Sequence, residues 1–205
     1  MVLMNSGNAF LLVVIAAFLI VGEVKTDFVL PPNVTRVDAG FFTHTAMRVL
    51  FGAEPPTTFE VMKASMDEFP ALRGNSVSYA VLQYPAGSVN PAHNHPRSSE
   101  LLFLLTGSLE VGLVDTSNKL HVQTLQAGDM FVFSKGFIHY EYNNGQDPAF
   151  ALSAFGSANA GTVCVPGSVF ATGIRNDILA KSFEIDVSTV QKIKGGLVPK
   201  AYIEN

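Results

Sequence analysis

Short runs in which apolar and polar residues alternate dominate the middle of this chain. Strands are predicted over 77–84, 101–105, 108–114, 121–125, 130–133, 139–142 and 150–155, because these runs are rich in β-branched and aromatic residues. Turn sequences separate them: Pro85-Ala86-Gly87, Thr106-Gly107, Asp115-Thr116-Ser117-Asn118 and Asn144-Gly145. Many short strands at this spacing predict an all-β sandwich or barrel. Beyond residue 170 the period changes. Apolar residues three and four apart over 176–185 and 187–193 predict two helices, with Asp186 and Gly195-Gly196 as breaks. Their apolar faces need a cover, from the barrel wall or from a neighbouring subunit.

The uncharged run 9–22 falls short of the ~20 residues that span a bilayer and fits the apolar region of a secretory signal. The expected organisation is a signal peptide over 1–26, an extended arm over 27–57, a barrel over 58–170 and a helical oligomerisation segment over 171–205. Asn33-Val34-Thr35 follows Pro31-Pro32 in that arm and is an N-glycosylation acceptor sequence. No membrane association is expected once the signal is removed.

A length of 205 residues suits one domain with a sizeable core. Charged residues are only 15% and hydrophobic ones 48%, which suggests surface buried in an oligomer. The net charge of −4 without a basic run argues against nucleic acid as a partner. Cys164 is the sole cysteine, so no intramolecular disulfide can form, and its apolar surroundings predict a buried, inert thiol.

The candidate chemistry lies in His93-Asn94-His95, with Glu100 five residues on and His139 further along. Two His one residue apart face the same side of a strand. Glu100 can turn back onto the same ion, and His139 can arrive from another strand. Three imidazoles and a carboxylate suit a divalent first-row metal with open positions for water or substrate. His44 and His121 have no partner at ligand spacing and are expected to be ordinary residues. Arg97 is expected in a structural ion pair or as a guide for anions.

The spacings Gly87-x5-His93-x-His95-x4-Glu100-x6-Gly107 and Gly128-x5-Ser134-x-Gly136-x2-His139-x3-Asn143 resemble the two-part signature of the cupin superfamily. Ser134 stands where the family has Pro. The wording of both blocks, and of the tract 153–170, is similar to plant germin-like proteins, in the subfamily that lacks an N-terminal cysteine pair. The resemblance implies a jelly-roll β-barrel with C-terminal helices, Mn held by His93, His95, Glu100 and His139, and a secreted protein of the apoplast or cell wall. It also implies a homo-oligomer, a hexamer built as a trimer of dimers.

For activity the resemblance implies a superoxide dismutase or an oxalate oxidase. Asn90 matches one of two Asn side chains that hold oxalate in such oxidases and could orient a small-molecule substrate, an anion or a water. The other position is Ala80, which counts against oxalate oxidation. A non-catalytic metal-binding or storage protein is the reading from another class, as is a hormone-binding barrel whose mouth is lined by Phe103, Phe131, Phe133 and Tyr140. Aromatics on barrel strands otherwise belong to the core.

Overall fold

The computed structural model describes residues 30–32, 34 and 37–197. The signal peptide over 1–26, the acceptor Asn33 and the last eight positions therefore lie outside the described residues.

Two five-stranded antiparallel sheets face each other. The first has the order β1 (Glu60–Ala64), β2 (Ser78–Tyr84), β9 (Ala149–Phe155), β4 (Glu100–Thr106) and β7 (Met130–Phe133). The second has the order β10 (Val163–Cys164), β3 (Val89–Asn94), β8 (His139–Tyr142), β5 (Ser108–Val114) and β6 (Leu120–Gln126). This is the jelly-roll barrel expected from the pattern of short alternating strands.

Alternation places one face of each strand inside. In β4, Glu100, Leu102 and Leu104 are buried while Leu101 and Leu105 are exposed. Leu82, Tyr84, Leu102, Leu104, Leu109, Val111, Leu125 and Phe133 form the barrel core, with Phe131 packed against it. Of the four aromatics that a hormone-binding barrel would use, Phe131 and Phe133 join the core, Phe103 is half-buried between Leu102 and Leu104 on β4, and Tyr140 has its ring over Gly112 and its hydroxyl donating to Glu110 at 2.9 Å.

Three strands escape the pattern reading. β1 is a mostly exposed edge, β3 contains Pro91, and β10 has two residues. Pro is tolerated in β3 because its register with β8 shifts between Asn90 and His93. Among the described residues three α-helices follow the strands: α1 (Val165–Phe170), α2 (Asn176–Phe183) and α3 (Val187–Gly196). The first was not expected. Asp186 is the N-cap of α3, accepting from the Thr189 amide at 2.9 Å. Gly195 and Gly196 end α3 from within rather than breaking before it. Leu179, Ala180 and Val190 form a small core of their own with Val169, Phe170 and Ile185.

Two motif residues act on the frame. Gly107 has φ +82, and a Cβ there would lie 2.8 Å from the Ala149 backbone, so only glycine fits. Asn143 is buried and donates to the carbonyls of Tyr84 and Asp147, both at 2.9 Å, joining the ends of three strands.

Candidate metal centre

His93 sits in β3 and pairs across the ladder with His139 at the start of β8. His95 lies one residue past the end of β3, and Glu100 opens β4 in the facing sheet. All four side chains are buried, and one ligand atom from each lies within 4.8 Å of the others. Among the described residues this is the one such group of His, Cys, Asp or Glu.

Hydrogen bonds fix which nitrogen each ring presents. His93 Nδ1 donates to the Pro91 carbonyl at 2.8 Å, His139 Nδ1 to Phe137 at 2.8 Å, and His95 Nδ1 to Gly161 at 2.5 Å. A carbonyl only accepts, so each Nδ1 carries the proton and each Nε2 turns a lone pair inward. On the carboxylate, Ser153 donates its hydroxyl to Glu100 Oε1. Oε2 is left facing His95 Nε2 at 2.9 Å and His139 Nε2 at 3.3 Å.

Acceptors therefore point at acceptors. His139 Nε2 and Glu100 Oε2 are buried with no aligned hydrogen bond. Burial, together with His139 and His95, pushes His93 from 6.5 down to about 3, so the His93 imidazole is neutral. Burial alone would raise Glu100, but hydrogen bonds and positive charge from His139 and His95 hold its carboxyl below the usual range, and with the imidazoles neutral that charge has to come from a cation. Neutral nitrogens and an ionised oxygen converging in a dry interior repel one another and fit a divalent cation. His93, His95, Glu100 and His139 are thus the residues that could hold one.

The surroundings orient this set. Phe133 stacks on His139 with ring centroids 4.2 Å apart, and Phe155 packs edge-on against His95 at 4.8 Å. The turn before His139 is closed by the Phe137 amide donating to the Ser134 carbonyl at 3.1 Å, a bond that the backbone makes with Ser or with Pro at this position. Among the described residues, Arg97 forms no ion pair with a carboxylate. Its guanidinium donates to the Asn159 carbonyl and to Asn159 Oδ1, each at 2.7 Å, and Asn159 Nδ2 donates to Asp67 at 2.7 Å. Asn159 Oδ1 also accepts from the Gly161 amide at 3.0 Å, so Arg97 holds the loop whose carbonyl orients His95.

Ala80 is buried and pairs with Ser153, which puts its methyl inside the barrel near Glu100. Asn90 pairs with Glu141. Cys164 is buried and is the cross-strand partner of His93. The exposed His121 has a carboxylate partner, the half-buried Asp115 at 2.8 Å, and His44 stacks on Phe69.

Glu141 and Tyr84 were missed. Both are fully buried. Burial, then the charge of Glu100, pushes Glu141 well above the usual carboxylate range, and burial with Glu141 and Glu100 pushes Tyr84 above 10. The signal for Glu141 was present: it stands two residues after His139 on one strand, hence on the same face.

The cupin family model matches residues 54–191. Germin-like protein 9-3 of Oryza sativa subsp. japonica is 54% identical over 184 residues, covering 86% of each chain. This chain belongs to the germin-like proteins of the cupin family. A second rice relative of the germin-like chain, the putative germin-like protein 9-2, is 53% identical over 182 residues, covering 86% of this chain and 85% of that one. Among solved structures, an oxalate oxidase in complex with the substrate analogue glycolate superposes with a TM-score of 0.75 at 26% identity, covering 88% of this chain and 92% of that chain. No helix among the described residues of the germin-like chain is long and apolar enough to cross a membrane.

Proposed function

We propose that this germin-like protein is a secreted manganese protein of the plant apoplast that dismutates superoxide. The observation that carries the reading is the convergence of three Nε2 lone pairs and Glu100 Oε2 in a buried pocket. Manganese held by His93, His95, Glu100 and His139 would supply a one-electron couple, so that one superoxide is oxidised to dioxygen while another, with two protons, is reduced to hydrogen peroxide.

The chain's own residues give that couple its setting. The Pro91, Gly161 and Phe137 carbonyls keep the imidazoles in the ligating tautomer, Ser153 holds Glu100, and the barrel core excludes bulk water. Asn90, only half-buried, would orient a small ligand.

Assembly into a homo-hexamer is part of the proposal. Tyr79, Leu101, Met130 and Val132 leave the outer face of the first sheet apolar, and Ile178 and Phe183 do the same on α2, surface of the kind that subunits cover. Secretion rests on the apolar run 9–22, and a glycan at Asn33 on its acceptor sequence.

A second reading, oxalate oxidation, draws on the likeness to the glycolate-bound oxidase. Ala80 opposes it, because a methyl group donates no hydrogen bond to a carboxylate. Ala80→Asn giving oxalate oxidation at full Mn loading would support Ala80 as the obstacle. The proposed function is tested by a superoxide assay on Mn-loaded protein: dismutation that vanishes in His95→Ala supports it, and Mn-loaded protein without dismutation rejects it.

A further inference from the structure

The carbonyl that orients His95 belongs to the loop over 156–162, between β9 and β10. Two separate parts of the chain tie that loop down. From beside the ligand, the Arg97 amide donates to the Ala160 carbonyl at 3.1 Å, and the Arg97 guanidinium donates to the carbonyl and to Oδ1 of Asn159. From the first sheet, the connection between β1 and β2 reaches the loop twice. The Met66 amide donates to the Ala158 carbonyl at 2.7 Å, and Asp67 accepts from Asn159 Nδ2 at 2.7 Å. That connection is braced by its own turn. Glu68 accepts from the Ser65 amide at 2.9 Å and from the Ser65 hydroxyl at 2.6 Å, while the Phe69 amide donates to the Ser65 carbonyl at 2.7 Å.

The two ties meet at Asn159, and its partners fix which way the amide is turned. The Gly161 amide and the Arg97 guanidinium only donate, so both meet Oδ1; a carboxylate only accepts, so Asp67 meets Nδ2. An amide answers both demands, where a carboxylate of the same shape would answer one. We propose that Asn159 is a positioning residue of the metal centre, and that Asp67, which lies outside both motif blocks, raises metal affinity through it. The path has three links. Asp67 holds Asn159 Nδ2, Asn159 Oδ1 holds the Gly161 amide, and the Gly161 carbonyl holds His95 Nδ1. Groups that fix the tautomer and the orientation of a ligating imidazole strengthen metal binding. The turn at the edge of the first sheet thereby supports a ligand that follows a strand of the second.

The inference rests on the metal reading above. Its test is a chelator competition for Mn on the full-length protein and on a charge-swapped pair of variants. Asn159→Asp sets a carboxylate against Asp67 and is expected to lower Mn affinity about tenfold or more. Adding Asp67→Asn returns a donor to that contact and should recover most of the loss, as coupled neighbours do in a double-mutant cycle. The electron paramagnetic resonance spectrum of the bound Mn follows its ligand geometry. It should change in Asn159→Asp and return in the double variant, which a general loss of stability would not produce. If Asn159→Asp does not fold, Asp67→Ala, at an exposed position, is read by the same competition, and weaker Mn binding is expected. Wild-type affinity in Asn159→Asp, or in Asp67→Ala where that variant is used, overturns this inference alone, as does a loss that Asp67→Asn does not recover. A wild-type protein that takes up no Mn overturns the metal reading and the inference with it.

Discussion

His95 donates its Nδ1 proton to the Gly161 carbonyl at 2.5 Å, across 66 residues of sequence. That bond makes a loop outside the barrel part of the metal centre. The loop is in turn held by Arg97, whose guanidinium would be 2.7 Å from a Cβ placed on Gly161.

Arg97→Ala should therefore weaken metal binding without unfolding the barrel. Removing partners that orient metal ligands costs about 10–100-fold in affinity, and a loss in that range is expected in a chelator competition. Arg97→Lys should rescue little, since an ammonium cannot make the paired contacts to Asn159. Wild-type affinity in Arg97→Ala would show that the loop holds its shape alone.

Ser153→Ala leaves Glu100 Oε1 without its donor. An unsatisfied buried acceptor costs about 1–3 kcal/mol, so the metal-free variant should show a lower thermal midpoint. Metal affinity should fall as well, measured by the same competition.

Acid should unfold the metal-free protein through His93. Its folded-state value of about 3 lies below the ordinary 6.5, so between these values the unfolded chain binds the extra proton. Stability then falls as pH drops through that window, by roughly 1.4 kcal/mol per pH unit from this group. Glu100, lowered in the fold, adds to the loss once the pH drops below about 4.5. Denaturant titrations at pH 7 and pH 5 check the sign. Bound metal opposes the loss near neutrality and is itself released as the imidazoles protonate.

Glu141 works in the opposite direction. Its raised value means the folded state keeps a proton that the unfolded state gives up, so its contribution is present below about 4.5 and lost as pH rises. Glu141→Gln should raise the thermal midpoint more at pH 8 than at pH 5. An equal change at both would contradict the assigned direction.

Much of this was legible in residue order. The alternation in 101–105 and 108–114 gives β4 and β5, because one buried face imposes period two. The ligand set was legible because a metal constrains residue type and spacing together. β3 was not, since Pro91 and a register shift mask its strand character. Nor was the Gly161 carbonyl, because any residue supplies one and only the fold chooses which. Arg97 looked like an anion guide or an ion-pair residue, and its amide partner Asn159 is visible only in three dimensions. Glu141 was readable from its spacing to His139; its burial beside Tyr84 was not.

The central claim is that four buried side chains hold one metal ion. Elemental analysis of the purified protein, alongside His93→Ala and Glu100→Ala variants, tests it most directly. About one metal ion per chain in the wild type, dominated by Mn and lost in both variants, is the expected result. A wild-type protein without stoichiometric metal, or variants that retain it, would contradict the account.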